Sequence, residues 1–115
     1  MIHHIAVVVT DLEKNKAFYQ EVFSLPEIAR ESSNAVRPKG AWLQMGMVEL
    51  HLQFREEQAA KSDQHFAIVV ENLDQVCSRA NAMGAKTVAS TPLTGFLKRA
   101  FVYDFDGNRI EVLQK

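Results

Sequence analysis

The segment His4-Ile-Ala-Val-Val-Val-Thr-Asp-Leu-Glu13 realigns without a gap on His65-Phe-Ala-Ile-Val-Val-Glu-Asn-Leu-Asp74, sixty-one residues further along a chain of 115. A duplication at close to half the chain length means that whatever unit the first half builds, the second half builds again. In each copy a Val- and Ile-rich run ends in an acidic or amide residue followed by Leu. That pattern predicts a buried strand feeding a helix, with Asp11 and Asn72 as the N-caps.

The first helix is expected over Leu12 to Phe23, where Leu12, Ala17, Phe18 or Tyr19, Val22 and Phe23 recur at helical spacing and Leu25-Pro26 stops the run. The second is expected from about Leu73 to Met83, with Val76, Ala80 and Met83 on one face and Gly84 just past its end. Short strands follow in both halves: Glu27 to Arg30, Ala41 to Met45 and Met47 to Gln53 in one, Lys86 to Ala89, Arg99 to Asp104 and Arg109 to Leu113 in the other. The turns are Glu31 to Asn34, Gly46, and Asp106-Gly107-Asn108. Each half therefore reads βαβββ, giving module one over 1–54, a polar connector over 55–64 and module two over 65–115. Within the connector, Glu-Glu-Gln-Ala-Ala-Lys reads as a short helix.

A hydrophobic content of 47% suffices for a core without disulfides or a structural metal. Thirteen basic and 14 acidic side chains give a formal charge of −1 with no basic cluster beyond Lys98-Arg99, which argues against nucleic acid and anionic membrane as partners. The single Cys77 sits in a helical stretch and reads as a buried, inert thiol in a reducing cytoplasm. There is neither a signal-peptide pattern at Met-Ile-His-His nor an apolar run near the roughly 18 to 20 residues that span a bilayer.

His4 and His65 hold the same place in the two copies, so a pseudo-twofold arrangement would bring them to equivalent positions. Strand alternation puts Glu49, His51 and Gln53 on one face, opposite Val48, Leu50 and Leu52, and sets Glu111 between Ile110 and Val112. Alternation also turns His3 away from His4. Imidazole nitrogen and carboxylate oxygen suit a divalent cation such as Zn²⁺, Ni²⁺, Fe²⁺ or Mn²⁺, and three or four of them leave open positions for a substrate. A lone histidine on an apolar strand is more often a core or surface residue; the duplication lifts His4 and His65 above that reading.

These residues resemble the vicinal oxygen chelate superfamily of glyoxalases, extradiol dioxygenases, fosfomycin-resistance enzymes, epimerases and bleomycin-binding proteins. The resemblance rests on His4 to Leu12 followed by Phe18-Tyr19 and Leu25-Pro26, on Trp42-Leu43 through Leu50-His51-Leu52, and on Asp104-Phe105-Asp106-Gly107-Asn108-Arg109-Ile110-Glu111. It implies an α+β fold of two βαβββ modules whose sheets form a partly open mixed barrel around a metal. Carried over position by position, it places ligands at His4, His65 and Glu111, and the second ligand at His51 if counted from Gly46, or at Glu49 if the Val48-Glu49-Leu50 string is matched instead. His51 is favoured. Ser24 stands where the family has glycine, and Phe105 where it has proline. Small members build their sites between two subunits, so a homodimer is expected.

The resulting expectation is a metal-dependent, glyoxalase-like lyase or isomerase acting on a small oxygen-chelating substrate, with Glu111 as a loosely held proton carrier. An extradiol dioxygenase using His4, His65 and Glu111 is one alternative. A bleomycin-resistance type module that sequesters an aromatic or cationic compound on Trp42, Phe54, Phe96 and Phe101 is another. Trp42 is expected as pocket wall, Arg37, Lys98 and Arg99 as anion clamps, and Tyr103 as a hydroxyl aimed into the pocket.

Overall fold

The computed structural model describes residues 1–29 and 39–115. The chain divides into two compact units, Met1–Ala59 and Ala60–Lys115. In the first, β1 (His4–Val9) runs into α1 (Leu12–Phe23), followed by β2 (Gly40–Met45) and β3 (Val48–Phe54). In the second, β4 (His65–Val69), α2 (Leu73–Ala82), β5 (Thr87–Ser90), β6 (Lys98–Tyr103) and β7 (Arg109–Gln114) repeat the order.

Both helices start where the sequence places them. Asp11 and Asn72 sit in extended backbone, and their side chains accept from Lys14 N and Gln75 N at 3.0 Å, satisfying one orphan donor in each first turn. α2 stops at Ala82, with Met83 as C-cap and Gly84 at φ +83°, a left-handed conformation that glycine adopts without strain. At the end of α1 the same task falls to Ser24, at φ +57°.

Each unit is a βαβββ-like module with a mixed sheet. β1 pairs parallel with β3, and β2 antiparallel with it, in the order β1-β3-β2. β4 pairs parallel with β7, and β6 and β5 follow antiparallel, in the order β4-β7-β6-β5. The strand expected over Glu27 to Arg30 is a single bridge, Glu27 to Leu43, flanked by Ile28 N to Trp42 O and Gln44 N to Pro26 O, both at 2.8 Å. Arg30, the Glu31 to Asn34 turn and Arg37 lie outside the described residues.

The core of module one packs Phe18, Tyr19 and Val22 of α1 against Leu43, Leu50 and Leu52, all at most 1% exposed. In module two, Leu73, Val76 and Ala80 of α2 cover Ala100, Val102, Ile110 and Val112. Two expectations fail here. β1 and β4, expected as buried strands, are covered on one face only: His4 and Ala6, and likewise His65, Ala67 and Val69, are exposed, while the alternate residues turn inward. Each of these strands ends its sheet, and the module's one helix can cover only one face. Nor is there a helix in 55–64. A short polar segment has no apolar stripe to dock and cannot offset the cost of helix nucleation.

Candidate functional site

Parallel pairing of β1 with β3 sets His4 opposite Glu49 and Ala6 opposite His51. Three polar side chains therefore meet on one face of the module-one sheet. The His4 and His51 rings stack with centroids 4.0 Å apart and 11° between planes. His51 Nε2 lies 2.9 Å from Glu49 Oε1. His3 does not turn away as alternation suggested: its Nδ1 is 2.9 Å from His4 Nδ1 and its Nε2 4.0 Å from Glu49 Oε2. Strand geometry begins only at His4, so alternation does not govern His3.

Trp42 meets the His51 ring edge-on at 5.9 Å. Together they border a cavity of about 290 Å³ with Lys39, Gly40, Gln53 and Arg55. Gly40 is required there, since a Cβ would lie 2.8 Å from the Leu52 carbonyl oxygen. Trp42 is thus a wall of this cavity.

In module two, His65 stands opposite Arg109, and Ala67 opposite Glu111. His65 Nε2 is 3.0 Å from Glu111 Oε1, although the two residues are 46 positions apart in sequence. Arg99 Nε donates to the other oxygen, Oε2, at 3.0 Å, and Arg99 Nη1 reaches Ser90 Oγ at 3.2 Å and Thr91 O at 3.3 Å. The guanidiniums of Arg99 and Arg109 lie 4.9 and 5.1 Å from the centre of the Phe101 ring, against which His65 packs edge-on. Glu111 is 7% exposed, so it is neither loose nor solvated. Its sequence neighbours Ile110 and Val112 are fully buried, and the sheet holds it between them.

The proton on His65 can be located from its partners. Nδ1 is 2.8 Å from the Asp63 carbonyl oxygen, which only accepts, so Nδ1 carries a hydrogen. Arg109 Nη2 donates to the same carbonyl at 2.9 Å, and its 3.4 Å approach to Nδ1 is the contact of two donors sharing one acceptor. With Nδ1–H committed, the neutral ring points the lone pair of Nε2 at a carboxylate oxygen. The 3.0 Å separation of Nε2 from Glu111 Oε1 suits a hydrogen bond or a cation shared by the two. Two ligand atoms about 2.1 Å from one cation and at right angles stand about 3.0 Å apart, so the His65–Glu111 separation also fits a borderline divalent metal.

Each module gathers two such donors close together. Among the described residues no group of three or more His, Cys, Asp or Glu side chains is assembled for a metal ion. Arg99, expected as an anion clamp, is spent on Glu111. Lys98 is spent on Asp74 of α2. Tyr103 stands opposite Arg109 and beneath the ammonium of Lys86, lining a second cavity, in module two. The locking carbonyl of Asp63 and the arginine on Glu111 carried no sequence signal, because neither a backbone oxygen nor a pairing across 12 residues leaves a motif.

The model of the Glyoxalase/Bleomycin resistance protein/Dioxygenase superfamily matches residues 1–112 of the chain. The chain belongs to this superfamily. Comparison with curated proteins yields no match. Among solved structures, a glyoxalase family protein from Bacillus anthracis superposes with a TM-score of 0.82 at 25% identity, covering 100% of this chain and 94% of that one. A variant of the fosfomycin resistance protein FosX from Listeria monocytogenes, in complex with Mn(II) and a dihydroxypropylphosphonic acid, gives a TM-score of 0.82 at 20% identity over 99% of this chain and 90% of that one. FosX from Mesorhizobium loti gives 0.77 at 20% identity, over 98% and 90%. At such identities the FosX structures speak for the superfamily fold and not for an activity.

Proposed function

We propose that this superfamily member is a metal-dependent, glyoxalase-like lyase or isomerase of a small substrate bearing two adjacent oxygens, with His4, His51, His65 and Glu111 as the cation's ligands. The observation that carries the reading is the facing of His65 Nε2 and Glu111 Oε1 while Nδ1 is held by a backbone carbonyl. A backbone acceptor on the far nitrogen is the arrangement that fixes a ligating histidine's tautomer and ring plane. Module one would contribute its donors in parallel, His51 with His4 stacked upon it. The proposal extends to a homodimer.

When bound, the cation would supply Lewis acidity toward the two substrate oxygens. The protein supplies the rest. Arg99 fixes the orientation of Glu111 through Oε2 and so turns Oε1 toward His65, and Glu111 is the residue proposed to take and return a proton. Glu49 holds His51 in the same manner. Trp42 gives the cavity a flat apolar wall, and Lys39 and Arg55 at its rim favour a substrate with anionic character.

Those two cations also weigh against a module that sequesters a cationic guest. The test is a screen of hemithioacetal and related vicinal-oxygen substrates with and without chelator, alongside His65→Ala. Turnover abolished by chelator and by the substitution supports the proposal. Ligand binding that survives both, with no turnover, refutes it in favour of a sequestering protein.

A further inference from the structure

Module two contains a cavity of about 350 Å³ in which neither His65 nor Glu111 takes part. Its walls include Lys61, Ser62, Lys86, Tyr103, Asp104 and Arg109, three cations against one carboxylate. That carboxylate is committed to its own turn. Asp104 is 5% exposed, and its Oδ1 accepts from Asp106 N and Asn108 N at 2.9 Å, its Oδ2 from Asn108 Nδ2 at 2.8 Å.

The cations are not similarly committed. Lys16 pairs with Glu13 and Glu27, Lys98 with Asp74, and Arg99 with Glu111. By contrast, Lys61 and Lys86 have no carboxylate within 4.0 Å among the described residues, and Lys86 Nζ rests 5.0 Å from the centre of the Tyr103 ring. Arg109 gives one nitrogen, Nη2, to the Asp63 carbonyl, and meets the fully exposed Asp63 carboxylate only at 3.8 Å. Its Nε is buried and has no hydrogen-bond partner among the described residues. Beyond Asp63 and the face of the Phe101 ring, the guanidinium brings to this cavity N–H donors that no described residue accepts. Ser62 Oγ accepts from Gln64 N at 3.2 Å, which leaves its hydroxyl hydrogen free to donate.

A concave surface lined by charges of one sign concentrates counter-ions. Two ammonium groups beside a guanidinium fork match the three oxygens and double charge of a phosphoryl group better than a single carboxylate. We propose that this cavity binds a phosphoryl dianion, either inorganic phosphate or the phosphate end of a small metabolite. The site lies one shared carbonyl from His65, because Asp63 O accepts from both Arg109 and the His65 ring.

The test is a titration of the full chain, followed by amide chemical shifts and calorimetry, with inorganic phosphate and with glycerol 3-phosphate at constant ionic strength. Wild type, Arg109→Gln and Lys86→Gln are compared; Lys86 is exposed, so its variant keeps the fold even if that of Arg109 does not. Saturable shifts at Tyr103, Gly107 and Arg109, with affinity reduced about tenfold or more by Arg109→Gln and severalfold by Lys86→Gln, are expected. Tighter binding of glycerol 3-phosphate would assign the site to a phosphorylated metabolite and equal binding to free phosphate, both in support. Shifts that do not saturate in the wild type, or affinities unchanged in both variants, would overturn the proposal.

Discussion

His51 and Glu111 occupy the same register position in their respective modules: each faces, across a parallel strand pair, the alanine two residues after the strand-leading histidine. By the same register Glu49 corresponds to Arg109, so under the proposed ligand set His51 is the positional counterpart of Glu111. His51→Ala is therefore expected to lower affinity for a divalent metal by about 100-fold. Glu49→Gln acts on the proposed site through the His51 ring that Glu49 holds and should cost about tenfold. Competition against a chromophoric chelator measures both.

Arg99 is the chief partner of a carboxylate that the sheet keeps out of water. Its side chain is 22% exposed and that of Glu111 9%, so the pair is only partly screened. Arg99→Gln removes the counter-charge of a buried carboxylate and should destabilise the chain by about 2 kcal/mol in urea unfolding. An unchanged midpoint would mean that Glu111 finds another partner.

Ser24 closes α1 in a left-handed conformation at φ +57° and is exposed. A side chain costs roughly 1–2 kcal/mol in that region, part of which glycine returns through its freer unfolded chain. Ser24→Gly should raise stability by about 0.5–1 kcal/mol, read as a higher thermal or urea midpoint with unchanged metal binding.

Much of this was legible from residue order. The extent of α1, both N-caps, the alternation of β3 and the parallel roles of His4 and His65 follow from periodicity and duplication, because they depend on neighbours in sequence. What was not legible depends on partners brought in by folding. The Asp63 carbonyl that fixes His65, the commitment of Arg99 to Glu111 and the approach of His3 to His4 have no pattern to betray them. The outward faces of β1 and β4 escaped for a different reason: a run such as Ala-Val-Val-Val reads as a buried strand, whereas its place at the end of a sheet, with one helix for cover, leaves Ala6 and Ala67 exposed.

Burial, and secondarily the charge of Asp74, push the Cys77 thiol above its ordinary pKa. The folded chain therefore keeps this proton at pH values where the unfolded chain has lost it. Stability linked to Cys77 is complete below the unfolded thiol's pKa and falls as pH rises from there through the folded one. Alkylation by iodoacetamide should be slower than for an unfolded control between pH 7 and 9, with its rise displaced to higher pH. A thiol that reacts at the control rate would contradict this.

The central proposal is that His4, His51, His65 and Glu111 hold a cation, and elemental analysis of protein purified without chelator or added metal tests it most directly, for wild type and His65→Ala. The account predicts about one divalent metal per site in the wild type, falling to background in the variant. Protein that retains none, even after exposure to Zn²⁺, Ni²⁺, Mn²⁺ and anaerobic Fe²⁺, would contradict it.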